Sequence, residues 1–347
     1  MNPDSEKSSP RLSVVMSVYN GGKYLDEALQ STLGQSFRDF EFIAIDDGSG
    51  DDTWAVLSRY AARDPRLVLR RNERNIGLTR SLNLGLELAR GGYLARMDAD
   101  DVCLPGRFAA QVEYLDRNPR VGVVGTSVQV IDEHGNLLYE RLSAADDESL
   151  KAELLLKNNA FAHGSVMART ELLRQAGGYD EKIPFAQDYD LWCRLKPLTK
   201  FAGLQQSLIQ WRNRQTGISN LDRRAQLKCS LETSLRNLAE EFKDGSIDRE
   251  AYRRVWWAYH GFLESYRTGD IGRLGPLWEL LASRAGLMQK TNRGFRDLAY
   301  ALLANSEVRD GIRLLWICGS RLGQKANPAT ALKSLLKSLL SIKKTKP

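Results

Sequence analysis

Three carboxylates stand within four positions in the run Arg96-Met97-Asp98-Ala99-Asp100-Asp101, directly after the apolar residues Tyr93-Leu94-Ala95. Like charges at that spacing repel, and a fold keeps them together most readily when a divalent cation or strong hydrogen-bond donors neutralise them. An acidic turn or a helix cap would account for an isolated Asp-x-Asp equally well. A second acidic strand end, Asp46-Asp47-Gly48-Ser49 after Phe42-Ile43-Ala44-Ile45, argues instead for a site. Asp47 alone is ambiguous, because an Asp at a strand end forms a turn as readily as it accepts hydrogen bonds from a nucleobase imide or a ribose hydroxyl. A third segment, Ser17-Val18-Tyr19-Asn20-Gly21-Gly22, ends the first apolar run in small residues that let a flat ligand approach the backbone and stack near Tyr19. It is neither a Gly-x-Gly-x-x-Gly fingerprint nor a Gly-Lys-Ser phosphate loop, which removes support for a dinucleotide dehydrogenase and for a P-loop kinase.

These residues need a sheet to hold them. Apolar β-rich runs at 12–16, 42–45, 67–69 and 93–97 alternate with helical patterns, and that alternation predicts an α/β fold with a mostly parallel sheet flanked by helices. Tyr24, Leu25, Ala28, Leu29, Thr32 and Leu33 recur at helical spacing, with Asn20-Gly21-Gly22 supplying a turn and a cap. Leu78, Leu82, Leu84, Leu86 and Leu88 mark another helix that Gly91-Gly92 stops, and 121–131 reads as a longer strand before a His134-Gly135-Asn136 turn. The two acidic clusters and the Tyr19 turn therefore fall at carboxyl ends of strands, the edge where open α/β sheets bind ligands.

The chain has 347 residues, 42% of them hydrophobic, enough for roughly two domains with a full core. A net charge of +7 points to anionic partners without choosing among nucleic acid, acidic lipid and phosphorylated small molecules. Cys103, Cys193, Cys229 and Cys318 form no Cys-x-x-Cys pair, so neither a zinc knuckle nor a disulfide framework is expected, and reduced thiols fit a cytoplasmic protein. The first ten residues lack an apolar run of the signal-peptide kind, and no stretch is apolar for long enough to span a membrane. From about Leu221 the sequence turns helical, basic and aromatic, and Trp256, Trp257, Trp278 and Trp316 read as helix-packing core. Leu332, Leu335, Leu336, Leu339 and Leu340 form a helical stripe among Lys333, Lys337, Lys343, Lys344 and Lys346, a pattern that suits an anionic membrane surface as well as a docked terminal helix.

Seven segments carry a resemblance. They are SVVMSVYNGGKYLDEALQS at 13–31, FEFIAIDDGSGDDT at 40–53, NIGLTRSLNLGL at 75–86, GGYLARMDADD at 91–101, HGSVMAR at 163–169, GGYDE at 177–181 and QDYDLWCRL at 187–195. Together, and in this order, they resemble the family 2 glycosyltransferases of the GT-A fold that build bacterial surface polysaccharides, over residues 12–220. The resemblance implies a GT-A nucleotide-binding domain at 11–220; composition and periodicity add a disordered N-terminus at 1–10, a helical C-terminal domain at 221–326 and a basic amphipathic tail at 327–347, which lie outside the resemblance. It implies that Ser17, Tyr19 and Asp47 hold the base and ribose of a nucleotide, that Asp98 lies near the ribose and the metal shell, that Asp100 binds Mn²⁺ or Mg²⁺, and that Asp188 is the general base toward the acceptor, near Tyr189, Asp190 and Trp192. Two departures stand out. Ser17 replaces the usual Pro, and Gln187 replaces the acid that often precedes the base.

The activity so implied is inverting, metal-dependent transfer of one sugar from a nucleoside-diphosphate sugar, UDP-linked, to a hydroxyl of a lipid-linked or growing oligosaccharide acceptor at the cytoplasmic face of the membrane. The Gln-x-x-Arg-Trp pattern of processive synthases is absent, which favours single-residue transfer. Arg212 and Arg214 are candidates to clamp a pyrophosphate, since guanidinium matches phosphate geometry. His163, before Gly164-Ser165 at an expected strand start, reads equally as a structural histidine and as a substrate contact. Two other classes remain: a nucleotidyltransferase on a similar sheet, and a basic nucleic-acid-binding protein, against which stands the lack of any helix-turn-helix, RRM or zinc-finger pattern.

Overall fold

The computed structural model describes residues 9–156, 159–214 and 223–241. The chain forms two compact units, one of Met1–Leu154 and Asn159–Thr233, the other of Leu155–Asn158 and Ser234–Pro347. The sheet and every candidate site residue belong to the first. A helix spans Arg223–Glu241; the rest of the expected C-terminal domain, its tryptophans and the basic tail lie outside the described residues.

In chain order the first unit runs β1 (Leu12–Val18), α1 (Leu25–Leu33), β2 (Phe40–Asp46), α2 (Thr53–Ala61), β3 (Leu67–Arg71), α3 (Leu78–Leu88), β4 (Tyr93–Arg96), β5 (Val102–Cys103), α4 (Arg107–Arg117), β6 (Val121–Ile131), β7 (Leu137–Arg141), α5 (Asp147–Leu156), β8 (Met167–Arg169), α6 (Thr170–Gln175), α7 (Gln187–Leu195) and β9 (Lys200–Arg212). Strands β3-β2-β1-β4 lie side by side and parallel, as the alternation of runs and helices predicts. Beyond β4 the direction mixes: β8 is antiparallel to both β4 and β6, β9 is parallel to β6, and β5 and β7 pair antiparallel with β9 and β6.

The central strands are near-continuous apolar runs because both faces of the sheet are covered. Alternation along β1 sends Val14, Met16 and Val18 to one face, against Leu25 and Leu29 of α1 and Phe108 and Val112 of α4. Val15 goes to the other face with Ile43 and Ile45, against Leu82 and Leu86 of α3 and Trp192 of α7. Each fully buried Leu, Ile, Val or Phe contributes about 1.5–3 kcal/mol of hydrophobic stabilisation before its entropy cost. The amino end of this sheet is locked by a polar cluster. Ser13 Oγ donates to Glu41 at 2.7 Å, Glu41 pairs with Arg90 at 2.7 Å, and the Gly91 amide donates to Ser13 Oγ at 2.8 Å.

Two local expectations are corrected. Asn20 does not cap α1, whose N-cap is Tyr24 with no side-chain cap bond; it sits at φ +49° and accepts from the Gly50 amide, tying the β1 turn to the loop after β2. His163 begins a short 3-10 turn, His163–Ser165, rather than a strand.

Candidate active site

The carboxyl ends of β1, β2 and β4 share one edge of the parallel half of the sheet. Ser17, half-buried, and Tyr19, 52% exposed, end β1. An exposed tyrosine beside a backbone turn offers a stacking face. Asp47 follows β2 and is buried, with its carboxylate accepting from Asn72 Nδ2 at 2.8 Å, the Ile76 amide at 3.0 Å and the Gly77 amide at 2.9 Å. It therefore organises the 72–77 loop. Gly48 makes that packing feasible: at φ +73°, a Cβ there would stand 2.5 Å from the backbone of Arg74.

At the end of β4 the three acids take different partners. Asp98 pairs with Arg96, whose side chain is only 4% exposed. Asp100 accepts from Arg214 Nη1 at 3.0 Å. Asp101, buried, accepts the Arg212 amide at 2.9 Å. The antiparallel pairing of β5 with β9 brings the end of β9 here, setting Val102 against Gln210. Arg212 is anchored on every side, through Nε to the Asp100 carbonyl, Nη1 to the Asp132 carbonyl and Nη2 to Glu27, with its guanidinium 4.5 Å from the Tyr24 ring centroid. As a diphosphate clamp it is already committed; its work is to buttress the acids. Burial, then the charge of Asp98, raises the Asp100 carboxyl above its ordinary range, with Arg214 opposing; burial and both neighbouring acids push Asp101 well up.

Asp98 and Asp101 approach one further residue that spacing alone could not single out. A Cβ on Gly164 would stand 2.9 Å from Oδ2 of Asp101 and 3.1 Å from Oδ2 of Asp98. Only a glycine leaves both carboxylates where they are. Among the described residues no three His, Cys, Asp or Glu side chains converge as a ready-made metal cage. Mg²⁺ or Mn²⁺ bound with a nucleotide needs only one or two carboxylates, with phosphate and water oxygens completing its shell, and the hard oxygen donors of Asp98 and Asp100 fit that mode.

Helix α7 opens at Ala186, a non-glycine residue at φ +57° and ψ 30°. Backbone held in that sparsely populated region clusters where a side chain must be aimed. Two residues on, Asp188 is half-buried; its Oδ1 accepts the Tyr189 amide at 2.8 Å and its Oδ2 accepts the side-chain amide of Asn159. Burial raises the Asp188 carboxyl, and these two donors pull it back. Tyr189, Asp190 and Trp192 are buried behind it, with Asp190 held by Arg194 at 2.8 Å. Tyr179 hydrogen-bonds His163 Nε2 through its hydroxyl at 2.8 Å and exchanges backbone bonds with the Asn83 side chain. Burial, then the nearby Arg96, lowers His163 well below the ordinary imidazole range, so it is neutral; burial raises Tyr179. Arg96, which pairs with Asp98, and Tyr179 each act electrostatically on both Asp98 and Asp188.

Comparison with known proteins identifies the family. The family model for glycosyl transferase family 2 matches residues 13–177. The chain is 34% identical over 221 residues to an uncharacterized glycosyltransferase, MJ1057, of Methanocaldococcus jannaschii, covering 62% of this chain and 76% of that one. It is 36% identical over 190 residues to the putative glycosyltransferase EpsE of Bacillus subtilis, covering 54% and 67%, and 32% identical over 208 residues to the O-antigen biosynthesis glycosyltransferase WbnJ of Escherichia coli, covering 58% and 79%. The fold matches S. aureus TarS, solved with UDP-GlcNAc, at a TM-score of 0.56 and 16% identity, over 90% of this chain and 88% of that one. A sheet with its acids at the carboxyl edge, carrying this family's motifs in order, leaves one assignment: the chain belongs to glycosyl transferase family 2 and is a glycosyltransferase.

Proposed function

We propose that this glycosyltransferase transfers one sugar, with inversion, from a nucleoside-diphosphate sugar to a hydroxyl of a lipid-linked or growing surface-glycan acceptor, and that it requires a divalent metal. The observation that carries the reading is that buried Arg96, paired with Asp98, and buried Tyr179 both act electrostatically on Asp98 and Asp188, which supports a donor-side acid and an acceptor-side carboxylate serving one site. Tyr19 stacks on the base, Ser17 and Asp47 form the wall of its pocket, and Asp98 takes the ribose. Asp100, with Asp98 near it, holds Mn²⁺ or Mg²⁺. A bound divalent ion supplies Lewis-acid stabilisation of the charge gathering on the departing diphosphate.

Asp188 does the proton work. The acceptor hydroxyl hydrogen-bonds the carboxylate, its oxygen attacks the anomeric carbon from the face opposite the diphosphate, and the proton passes to Asp188 as the glycosidic bond breaks. Hydrogen-bond reach matters more for this role than an unusual pKa. Attack from that face inverts the anomeric centre.

The choice of UDP follows the family resemblance, and TarS on the same fold was crystallised with UDP-GlcNAc. A surface-glycan acceptor follows the resemblance and the O-antigen role in the name of WbnJ. No helix among the described residues is long and apolar enough to cross a membrane; we place the enzyme at the cytoplasmic face, held there by the basic stripe at 327–347. Proton NMR of the product's anomeric configuration, alongside Asp188→Asn, tests the mechanism. Inversion is expected, with nucleotide binding retained and transfer reduced by about 10²–10⁴ in the variant; retention of configuration, or full turnover by Asp188→Asn, would overturn it.

A further inference from the structure

The acid assigned to the metal already carries a cation. Arg214 Nη1 lies 3.0 Å from Oδ2 of Asp100, and the two side chains are 28% and 27% exposed, so the pair is partly open to solvent. Arg214 also lies over the ring of Tyr24, 5.2 Å from its centroid, next to Arg212 on that ring. The two arginines differ in exposure. Arg212 is 3% exposed and bonded to Glu27 and to the Asp100 and Asp132 carbonyls, and Arg214, past the end of β9, is 28% exposed.

Resting on the donor-site reading above, we propose that Arg214 is an exchangeable counter-ion: it leaves Asp100 when a divalent cation binds there and pairs with the diphosphate that arrives beside the cation. Three facts require such a partner. Asp98 and Asp101 place negative charge beside Asp100 when no metal is present, and the Arg214 guanidinium 3.0 Å away offsets it. A divalent ion arriving at Asp100 repels a guanidinium held 3.0 Å from the same carboxylate, so ion binding favours the departure of Arg214. A diphosphate presents the oxygen pairs that an arginine fork binds bidentately, so the displaced guanidinium gains a new anion only when metal and nucleotide are both bound. Metal and diphosphate then favour each other's binding by a reciprocal factor, part of which passes through Arg214.

The test uses the full chain, wild type beside Arg214→Gln and Arg214→Lys, with near-UV circular dichroism to confirm the fold. Mn²⁺ binding is followed by the electron paramagnetic resonance of the free ion, without nucleotide and with saturating UDP, GDP or dTDP. In Arg214→Gln, Mn²⁺ alone should bind several-fold more tightly, about 3–10-fold, while the gain in Mn²⁺ affinity on adding nucleotide shrinks by about tenfold; Arg214→Lys should fall between. The opposed signs are the signature, since a merely structural arginine would weaken both. Unchanged or weaker binding of Mn²⁺ alone, or an undiminished nucleotide gain, overturns the exchange while leaving the donor site standing. Failure of the wild type to bind Mn²⁺ with any of the three nucleotides overturns both.

Discussion

Asn159 donates its side-chain amide to Oδ2 of Asp188, leaving the other carboxylate oxygen to the Tyr189 amide. The bond aims Asp188 and favours its ionised form against the burial that raises it. In Asn159→Ala that donor is gone, so the Asp188 carboxyl rises further. A general base works only when ionised, and activity falls as pH drops through its pKa. The acid limb of the kcat/KM profile should therefore move to higher pH in Asn159→Ala, by up to about one unit, with kcat down about tenfold or more at neutral pH. An acid limb that stays in place or moves down would contradict the role given to Asn159.

Asp47 collects Asn72, Ile76 and Gly77 onto one buried carboxylate. Asp47→Ala strands two backbone amides and one side-chain amide, and hydrogen bonds to a charged group contribute about 1.5–3 kcal/mol each, partly recovered by water when the loop opens. A loss of about 3 kcal/mol in urea unfolding is expected, with weaker nucleotide binding because the 72–77 loop loosens. Unaltered stability would mean that the loop is held elsewhere.

His163, neutral against Tyr179 and near Arg96, carries a pH dependence of known sign. Its folded pKa lies below the unfolded value of about 6.5, so the unfolded chain takes up the proton first. The stability this neutral imidazole contributes is full above about pH 6.5 and is lost as pH falls from there toward its folded pKa, at no more than about 1.4 kcal/mol per pH unit. Urea unfolding at pH 7 and pH 5.5 should show a steeper acid-side loss in the wild type than in His163→Gln. Equal slopes would mean that His163 ionises freely in the folded protein.

Where the sequence was informative, neighbours in the chain were also neighbours in space. The ends of β1, β2 and β4 could be read because continuous apolar runs mark doubly covered strands and the acids follow them directly; 121–131 matched β6 residue for residue. The partners of those acids were hidden because they arrive from far along the chain. Arg214 is 114 positions from Asp100, and Arg212 is 111 from Asp101. Both are delivered by the pairing of β5 with β9, and β5 is a two-residue strand with no periodicity to detect. Arg212 read as a phosphate ligand because arginine chemistry suggested one, while its burial and three anchors could be seen only in the fold. Gly164 looked like any small residue until the Asp98 and Asp101 carboxylates were found against it. Asn20 illustrates the converse: its type and place before a helix suggest a cap, yet Gly50 offers its amide from the adjoining loop and takes the side chain away.

The most direct test of a metal-dependent nucleotide-sugar site is calorimetric titration of UDP, with GDP and dTDP beside it, in the presence and absence of Mn²⁺, on the wild type and on Asp100→Ala. One nucleotide should bind the wild type with a Kd in the micromolar range, about 10²-fold tighter with Mn²⁺, and the metal's effect should vanish in Asp100→Ala. Binding that ignores Mn²⁺, a metal effect that survives the loss of Asp100, or no binding of any of the three would contradict the account.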